Sequence, residues 1–541
     1  MTGSKTPTAA HNAQGRTPTM QFLTADEAVS LVPDAATVLV DGSGGGVNEP
    51  ATVLAALERR FLETAAPRDL TVLHVSGMGS GNADGIDHLA HEGLTRKVIG
   101  GHWAWSRRMQ ELAVDEKIQA YCLPQGTLSH LLREIAGGRP GPLSQVGLGT
   151  SVDPRLDGGR LNRSAVDPVN QIVELGGKEW IHTPSFPIDV AIVRGTTADE
   201  RGNISMEGEG LLAETLAAAQ AAKASGGLVI VQVRTRVPYG EIAADTVRIP
   251  GVLVDAIIVD PQQRLSHATD RDALLEGRER AEAIEIPPIP FTVRKVIARR
   301  AAQQVRAQEI VNLGFGMPDG VAAVLAEARL DQEVTFTVEQ GHVGGVPAGG
   351  SDFGLTRNHQ SSIDAGAQFD WYDGGGLDLA VLSFAQVDAA GNVNVSRFGR
   401  RLAGIGGFVN ISQGAKRVVF VGTFEAGAPP RLDGKGAIEI DGGGTRKFVA
   451  EVEQISFSGA LAAEQGKDVL YVSERAVFAL SPEGLVLTEV APGLDAERDV
   501  IARMGFRPVI SPDLCEMDPA IFTDGSFPLR LPATEQKENA R

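Results

Sequence analysis

Cysteine is almost absent from this chain, since only Cys122 and Cys515 occur among 541 residues. They lie far apart, without a CxxC pair or a Cys/His cluster, which argues against a disulfide framework or a thiolate-bound zinc ion and fits a reducing, cytoplasmic compartment. Long apolar runs are lacking too, and none approaches the roughly 18 residues of a membrane span. The sequence therefore predicts a soluble protein with two free thiols.

Positive charge is in deficit. The chain has 50 Lys and Arg against 68 Asp and Glu, a formal net charge of -18, and no basic patch stands out. Nucleic acid and anionic membrane surfaces would repel such a chain at long range. Neither is expected as a partner.

Familiar motifs for nucleophiles, phosphoryl transfer and metal binding are also missing. There is no GxSxG or SxxK for a serine nucleophile and no P-loop, and His88 and His91 come without an HExxH or carboxylate spacing. The Gly-rich runs GSGGG (42–46) and GMGSG (77–81) break the GxGxxG spacing of a dinucleotide loop. We expect no metal and no tightly bound cofactor.

The two ends of the chain differ in composition from the rest. Residues 1–20 are rich in Thr, Ala and Gly and carry no acid and no apolar signal-peptide segment, so they predict a disordered tail. Residues 531–541 end in ATEQKENAR and predict a polar, frayed terminus.

The remaining chain repeats itself. DVAIVRGTTADERGNIS starts at Asp189 and DLAVLSFAQVDAAGNVN at Asp378, with the Gly-Asn pair at the same spacing in both. Three of the four residues PPIP in the segment 286–291 are proline, which forbids a helix and favours an extended linker. We therefore predict an N-terminal domain of residues 21–285 and a related C-terminal domain of residues 292–530.

Short apolar runs such as LVIVQV alternate with Ala-rich helical stretches in both halves. This pattern is typical of mostly parallel sheets covered by helices on both faces. The predicted fold class is α/β, with two fused, related, open Rossmann-like halves whose ligands bind at the carboxyl ends of the strands.

Glu339 is the candidate that this fold makes interesting. Most Glu residues are surface acids, but this one follows the apolar run FTV and precedes GHVGGVPAGG, backbone that can close around a substrate. A carboxylate can attack an activated acyl group to give an anhydride, which a thiolate reopens, while glycine N–H groups stabilise the oxyanion. The glycines of GFGMP (314–318) and GIGGF (404–408) serve either close backbone approach or tight turning.

A family resemblance starts from the same segment. VEQGHVGGVPAGGSDFG, together with NLGFGMPDGVA (312–322) and RLAGIGGFVNIS (401–412), resembles the family I coenzyme A transferases of the single-chain acetate, propionate or 3-oxoacid type. GHWAWSRRMQELAVDEKIQAYCLPQG (101–126) in the N-terminal half agrees. The resemblance spans about residues 21–512.

The resemblance implies an enzyme that moves CoA between a short-chain acyl-CoA and a carboxylic acid. Glu339 would be its catalytic residue, in a ping-pong reaction through an acyl-glutamyl anhydride and a glutamyl-CoA thioester. CoA would be a substrate and product rather than a bound cofactor. The expected partners are acyl-CoA and short-chain carboxylic acids, in a homo-oligomer, either a tetramer or a dimer.

The resemblance also suggests which residues contact CoA. They are Gly314, Gly316, Gly404, Gly406, Gly407, Phe408 and Arg401. Arg400 and Arg401 either bind the CoA phosphates or are solvated surface residues. His342 departs from the family pattern, and it either touches the substrate carboxylate, tunes Glu339 or packs the loop.

Two other functions compete with transfer. An acyl-CoA hydrolase on the same scaffold would let water intercept the glutamyl thioester, so loss of CoA would need no acceptor acid. A non-catalytic CoA or sugar-phosphate sensor is the second, because related open α/β folds support several functions. A sensor would keep its binding when Glu339 is replaced by Ala.

Overall fold

The computed structural model describes residues 20–440 and 442–533. Within them, two large sheets form on either side of the Pro-rich segment 286–291. The predicted disordered tail spans residues 1–20 and the predicted polar terminus spans 531–541. Of these, residues 1–19 and 534–541 lie outside the described residues.

Eight strands form the first sheet. They are β1 Gln21–Phe22, β2 Thr37–Val40, β3 Leu70–His74, β4 Thr95–Gly100, β5 Gln119–Cys122, β6 Val190–Arg194, β7 Leu228–Val233 and β8 Ala256–Val259. Their order is β1-β8-β7-β6-β2-β3-β4-β5, and every neighbouring pair is parallel. The helices of this half are α1 Ala25–Val29, α2 Ala51–Thr64, α3 Arg107–Val114, α4 Gln125–Ala136 and α5 Thr215–Ala224.

Ten strands form the second sheet. They are β9 Ile310–Leu313, β10 Thr335–Val338, β11 His342–Val343, β12 Ser361–Ser362, β13 Leu379–Ser383, β14 Arg417–Val421, β15 Asp468–Val472, β16 Ala476–Ser481, β17 Gly484–Val490 and β18 Val509–Glu516. Their order is β12-β11-β10-β9-β13-β14-β15-β16-β17-β18, with a parallel centre from β10 to β15. The helices are α6 Val293–Ala302, α7 Gly320–Glu327, α8 Ala365–Asp373, α9 Phe408–Gly414 and α10 Gly459–Glu464.

The short strands form small sheets that are separate from the two large ones. A four-stranded sheet joins Thr197–Asp199, Ile204–Ser205, Thr235–Val237 and Val247–Ile249, and a three-stranded sheet joins Leu143–Ser144, Gln171–Leu175 and Lys178–His182. The two-stranded pairs are Val346–Pro347 with Thr356–Arg357, Gln386–Val387 with Val393–Asn394, Arg397–Phe398 with Arg401–Leu402, Glu425–Ala426 with Thr445–Arg446, and Arg431–Leu432 with Ile438–Glu439.

The sequence repeat is also a repeat of hydrogen bonds. Asp189 precedes β6 and accepts a bond from the Thr37 N–H at 2.7 Å, while Asp378 precedes β13 and accepts one from the Ile310 N–H at 3.0 Å. Each carboxylate therefore ties its own strand to the first core strand of its half. The repeated residues have the same structural role twice.

The halves share part of their core. Leu402, Ile405 and Val409 belong to the C-terminal half by sequence, but they are buried in the apolar core of the first sheet. Removing such side chains from water stabilises the contact by about 1.5–3 kcal/mol each. The chain segment around α9 therefore fastens one half to the other.

The predicted α/β class with two related halves and mostly parallel sheets is confirmed. Both cysteines are free thiols, Cys122 buried and Cys515 exposed. In residues 20–440 and 442–533, no helix has the length and apolarity needed to span a bilayer, and no group of three or more His, Cys, Asp or Glu residues could hold a metal ion.

Candidate active site

Glu339 follows Val338, the last residue of β10, at the carboxyl edge of the parallel part of the second sheet. The residue is buried, with 8% of its surface exposed. Burial raises the pKa of its carboxyl group, and hydrogen bonds from its own backbone and from the side chains of Asn312 and Gln340 oppose that rise. The site thus holds a desolvated carboxylate, which is a stronger nucleophile than a hydrated one.

A buried polar network fixes the strand that carries Glu339. The Tyr372 hydroxyl donates to Thr337 Oγ1 at 2.7 Å, and Asn312 Nδ2 donates to the Thr337 carbonyl at 3.2 Å. Asn312 and Tyr372 are both fully buried. Burial raises the pKa of Tyr372, and the nearby Glu339 charge acts in the same direction, so the phenol remains a protonated donor. The network connects β9, β10 and α8 beneath the carboxylate.

Residues 402–407 of the C-terminal half cross onto the N-terminal half. The Gly406 N–H donates to the Gly101 carbonyl at 2.7 Å, and the Gln125 N–H donates to the Gly406 carbonyl at 2.9 Å. The backbone of one half is thereby hydrogen-bonded to residues at the carboxyl ends of β4 and β5 in the other. This crossing brings the GIGGF segment between the two sheets.

Glycine is required at this crossing. Gly404 and Gly406 have φ values of +78° and +54°, a region that disfavours other residues. A Cβ atom on Gly404 would lie 3.0 Å from Cα of His102, and one on Gly407 would lie 3.2 Å from Cγ of Glu339. The absence of side chains lets the loop fit between His102 and the candidate nucleophile.

A cleft of about 540 Å³ opens beside Glu339 between the two halves. Several of its lining residues lie at or just beyond the carboxyl ends of strands from both sheets, as expected for ligand sites in open α/β folds. They include Gly44, Ser76, His102 and Gln125 from the first half, and Phe315 and Ser383 from the second.

The structure brings only some of the predicted site residues to this cleft. Glu339, Gly406 and Arg401 line it, and Gly407 lies against Glu339. Gly314, Gly316, Gly404 and Phe408 are not among the lining residues.

The four residues outside the lining have other surroundings. Gly314 packs at the end of β9, where an added Cβ would lie 3.2 Å from Leu382 Cδ2, while Gly316 has φ +89° and open space around it. The Phe408 ring is buried and stacks on Phe420 with centroids 5.7 Å apart. The ring packs in the core at α9, and the contact of Phe408 with CoA stays a prediction.

Arg400 and Arg401 face different surroundings although they are neighbours. Arg400 pairs with Asp115 across the halves at 2.8 Å and lines an adjoining groove. Arg401 is exposed at the cleft, and its side chain makes no hydrogen bond or ion pair with any residue the structure describes. Of the two, Arg401 is the cation available to an anionic ligand.

His342 lies on β11, away from the lining of the cleft. It is fully buried and stacks on His359, with ring centroids 4.0 Å apart and an interplanar angle of 10°. Burial and the neighbouring His359 lower its pKa to about 3, so it is neutral. Of the three roles considered for His342, the geometry supports packing of the loop.

The cleft contains two polar residues that the sequence interpretation did not select. Gln125 starts α4 with 2% of its surface exposed, and His102 follows β4. Burial lowers the pKa of His102 to about 4, and the nearby charges of His74 and Arg401 add to this shift. Their positions just after β4 and β5 were the signal that could have identified them, since such positions line ligand sites in this fold class.

Other proteins are similar to this chain over most of its length. Residues 22–260 match the family described as coenzyme A transferase. The caffeate CoA-transferase of Acetobacterium woodii is 44% identical over 513 residues, which cover 93% of this chain and 98% of that protein. The acetate CoA-transferase YdiF of Escherichia coli K12 is 40% identical over 521 residues, covering 96% and 97%.

A solved structure agrees over nearly the whole chain. The acyl-CoA transferase YdiF of Escherichia coli O157:H7, in a thioester complex with CoA, matches with a TM-score of 0.91 and 38% identity, covering 96% of this chain and 99% of that one. The chain therefore belongs to the coenzyme A transferase family, as its motifs predicted. It is a CoA-transferase enzyme.

Proposed function

We propose that this enzyme moves CoA between a short-chain acyl-CoA and a carboxylic acid by a ping-pong mechanism in which Glu339 is the nucleophile. The observation that carries the proposal is the buried Glu339 carboxylate beside an interdomain cleft, with the side-chain-free backbone of Gly407 against it. Two similar proteins are named caffeate CoA-transferase and acetate CoA-transferase. These names support the proposal that acyl-CoA and carboxylates are the substrates.

The first half-reaction loads CoA onto the enzyme. A Glu339 carboxylate oxygen attacks the thioester carbonyl, the C–S bond breaks, and an acyl-glutamyl anhydride and CoA thiolate form. The thiolate then attacks the glutamyl carbonyl, the anhydride C–O bond breaks, and the donor acid leaves as a carboxylate. The product is a glutamyl-CoA thioester, formed without net proton transfer.

The second half-reaction reverses these steps with another acid. The acceptor carboxylate attacks the glutamyl thioester and releases CoA thiolate, leaving a new anhydride. The thiolate attacks the acyl carbonyl of that anhydride, which regenerates the Glu339 carboxylate and forms the new acyl-CoA. Each intermediate is an activated acyl group, so the reaction needs no external energy source.

Each attack on an acyl carbon forms a tetrahedral intermediate, whose carbonyl oxygen becomes an oxyanion near Glu339. The side-chain amides of Gln125 and Gln340 line the same cleft and supply the donors for it in this proposal. Gln340 Oε1 is buried and has no hydrogen-bond partner among the described residues, which leaves an acceptor for a ligand N–H group. CoA contains such amides in its pantetheine arm.

Arg401 is proposed to bind the phosphates of CoA. It lies at the cleft on the hairpin of Arg397–Phe398 and Arg401–Leu402, and CoA carries several negative charges. In a chain with a net charge of -18, a local cation is needed to offset the long-range repulsion of this substrate.

Further expectations belong to the same proposal. The two large sheets support a division into an N-terminal domain of residues 21–285 and a C-terminal domain of 292–530. We also propose a homo-oligomer, a tetramer or a dimer, in the cytoplasm. Light scattering of the purified chain measures its oligomeric state directly.

The test is a transfer assay with acetyl-CoA as donor and propionate as acceptor. The native enzyme is expected to form propionyl-CoA, with parallel double-reciprocal plots, whereas Glu339→Gln is expected to be inactive. Glu333→Gln is the matched control, because Glu333 is exposed and lies before the same strand. CoA release at the full rate without any acceptor acid would instead identify a hydrolase.

A further inference from the structure

A short turn of residues 266–269 is linked by hydrogen bonds to three segments around the cleft, although the turn itself does not line the cleft. The Ser266 N–H donates to the Thr269 carbonyl at 3.0 Å, which closes the turn. The three segments are residues 42–46 and 76–81 of the N-terminal half and residues 350–353 of the C-terminal half, and each contributes at least one residue to the cleft lining. The 266–269 turn is therefore placed to act on the site from outside it.

The first link joins the turn to segment 42–46 through the backbone. The His267 N–H donates to the Gly45 carbonyl at 2.8 Å. The His267 ring also packs against Gly46, whose φ is +88°, so closely that an added Cβ atom would collide with the ring. The segment can therefore approach His267 only because it has no side chain at this position.

Glu49 provides the second link, to segment 76–81. Its buried carboxylate accepts a bond from His267 Nε2 at 2.8 Å and one from the Gly79 N–H at 2.5 Å. Burial lowers the pKa of His267, but the hydrogen bond and charge of Glu49, with the charge of Asp84 at 3.7 Å, raise it overall against the opposing charge of Arg264. The contact is thus a charge-assisted hydrogen bond, about twice as strong as a neutral one.

Asp352 of the C-terminal half provides the third link. Its carboxylate accepts bonds from Ser266 Oγ at 2.6 Å and from Thr269 Oγ1 at 2.9 Å. The backbones of the two halves are also in close contact here, because an added Cβ atom on Gly45 would collide with the Ser351 carbonyl. The 266–269 turn therefore fastens segment 350–353 to the two N-terminal segments.

We propose that His267 is a positioning residue for acyl-CoA binding, which acts through Glu49 to hold the three segments in the conformation that the substrate needs. The segments are irregular and rich in glycine, so their order depends on such contacts more than on helix or strand hydrogen bonds. Substrate affinity falls in proportion to the fraction of enzyme in the binding conformation. This inference rests on the proposed function, because it takes the cleft as the acyl-CoA site.

The experiment measures transfer from acetyl-CoA to propionate by the native enzyme, His267→Ala and His267→Gln. A glutamine amide can donate to Glu49 from about the position of the imidazole Nε2, so His267→Gln keeps the bond and loses the charge. His91→Ala is the matched control, because His91 is also a partly buried histidine paired with a glutamate of the N-terminal half, Glu58, and it does not line the cleft. Asp352→Ala removes the third link and keeps the inference testable if His267→Ala does not fold.

We expect His267→Ala and Asp352→Ala to raise KM for acetyl-CoA about tenfold and to change kcat less than about twofold, because bound substrate selects the ordered conformation. His267→Gln should restore KM to within about threefold of the native value, and His91→Ala should leave it unchanged. An unchanged KM in both alanine variants of the link, or a His267→Gln variant as impaired as His267→Ala, would overturn the inference and leave the proposed function standing. Only the absence of transfer by the native enzyme in the same assay would refute the function itself.

Discussion

A single methyl group added at Gly407 tests whether Glu339 is the reacting group. The Cβ of Gly407→Ala would lie 3.2 Å from Cγ of Glu339, 3.2 Å from Ile411 Cδ1 and 3.4 Å from Phe369 Cζ. Carbon atoms prefer separations of about 3.5–4.0 Å, so the Glu339 side chain would have to move by a few tenths of an ångström. The backbone is not strained, because φ of Gly407 is -80°.

The size of the effect follows from this displacement. Misplacing a reacting group by about 1 Å lowers the rate about a hundredfold, so a smaller shift of the carboxylate predicts a loss of about tenfold in kcat. Overpacking of this kind destabilises a protein by about 1–3 kcal/mol at most sites. Gly407→Ala is therefore expected to remain folded and to lose activity well beyond its loss of stability.

The assay is steady-state transfer from acetyl-CoA to propionate, paired with urea denaturation. Gly349→Ala is the control, because Gly349 has φ -109° and no heavy atom within 4 Å of its added Cβ. Activity of Gly407→Ala equal to that of the native enzyme would refute the placement of Glu339 at the reacting centre. Equal losses in both variants would show that the effect is not specific to this contact.

Burial raises the pKa of Glu339, and only its carboxylate attacks. The midpoint of the fall in kcat/KM with decreasing pH should therefore lie above the ordinary glutamate pKa of about 4.3. A midpoint at or below that pH in the rate profile would contradict this. Arg401→Ser should raise KM for acyl-CoA severalfold and weaken its increase with salt, whereas a native KM that is flat between low and high salt would argue against a basic CoA entrance. Glu209→Ala should destabilise the N-terminal half by about 3–5 kcal/mol in urea unfolding, because it leaves the buried Arg194 without the carboxylate it contacts at 2.6 Å; a loss below about 1 kcal/mol would be inconsistent with a buried pair.

The sequence repeat was enough to predict the two-part fold. Asp189 and Asp378 recur in register because each accepts a backbone hydrogen bond from the first core strand of its half. A local requirement of that kind leaves the same residue at both positions. The carboxyl-edge rule for parallel sheets also places Glu339, because the residue directly follows a buried strand.

Other parts of the site depend on contacts between residues that lie far apart in the sequence. Gln125 meets Gly406 only because residues 402–407 cross onto the other half, and no local pattern indicates that crossing. The orientation of the Phe408 ring also depends on a distant residue. It packs in the core against Phe420, although Phe408 directly follows Gly406 and Gly407 beside the cleft. His342 likewise reads as a polar loop residue, but its stacking partner, His359, comes from a separate turn.

The most direct test of the central claim is the mass of the enzyme after reaction with acyl-CoA. The native chain and Glu339→Gln are incubated with acetyl-CoA, treated with borohydride, digested and analysed by mass spectrometry. The proposal predicts a CoA thioester, or the alcohol formed by its reduction, on the peptide that contains residue 339 of the native chain and on no peptide of the variant. An adduct at another residue, or continued transfer by a chain that never gains one, would contradict the glutamyl route.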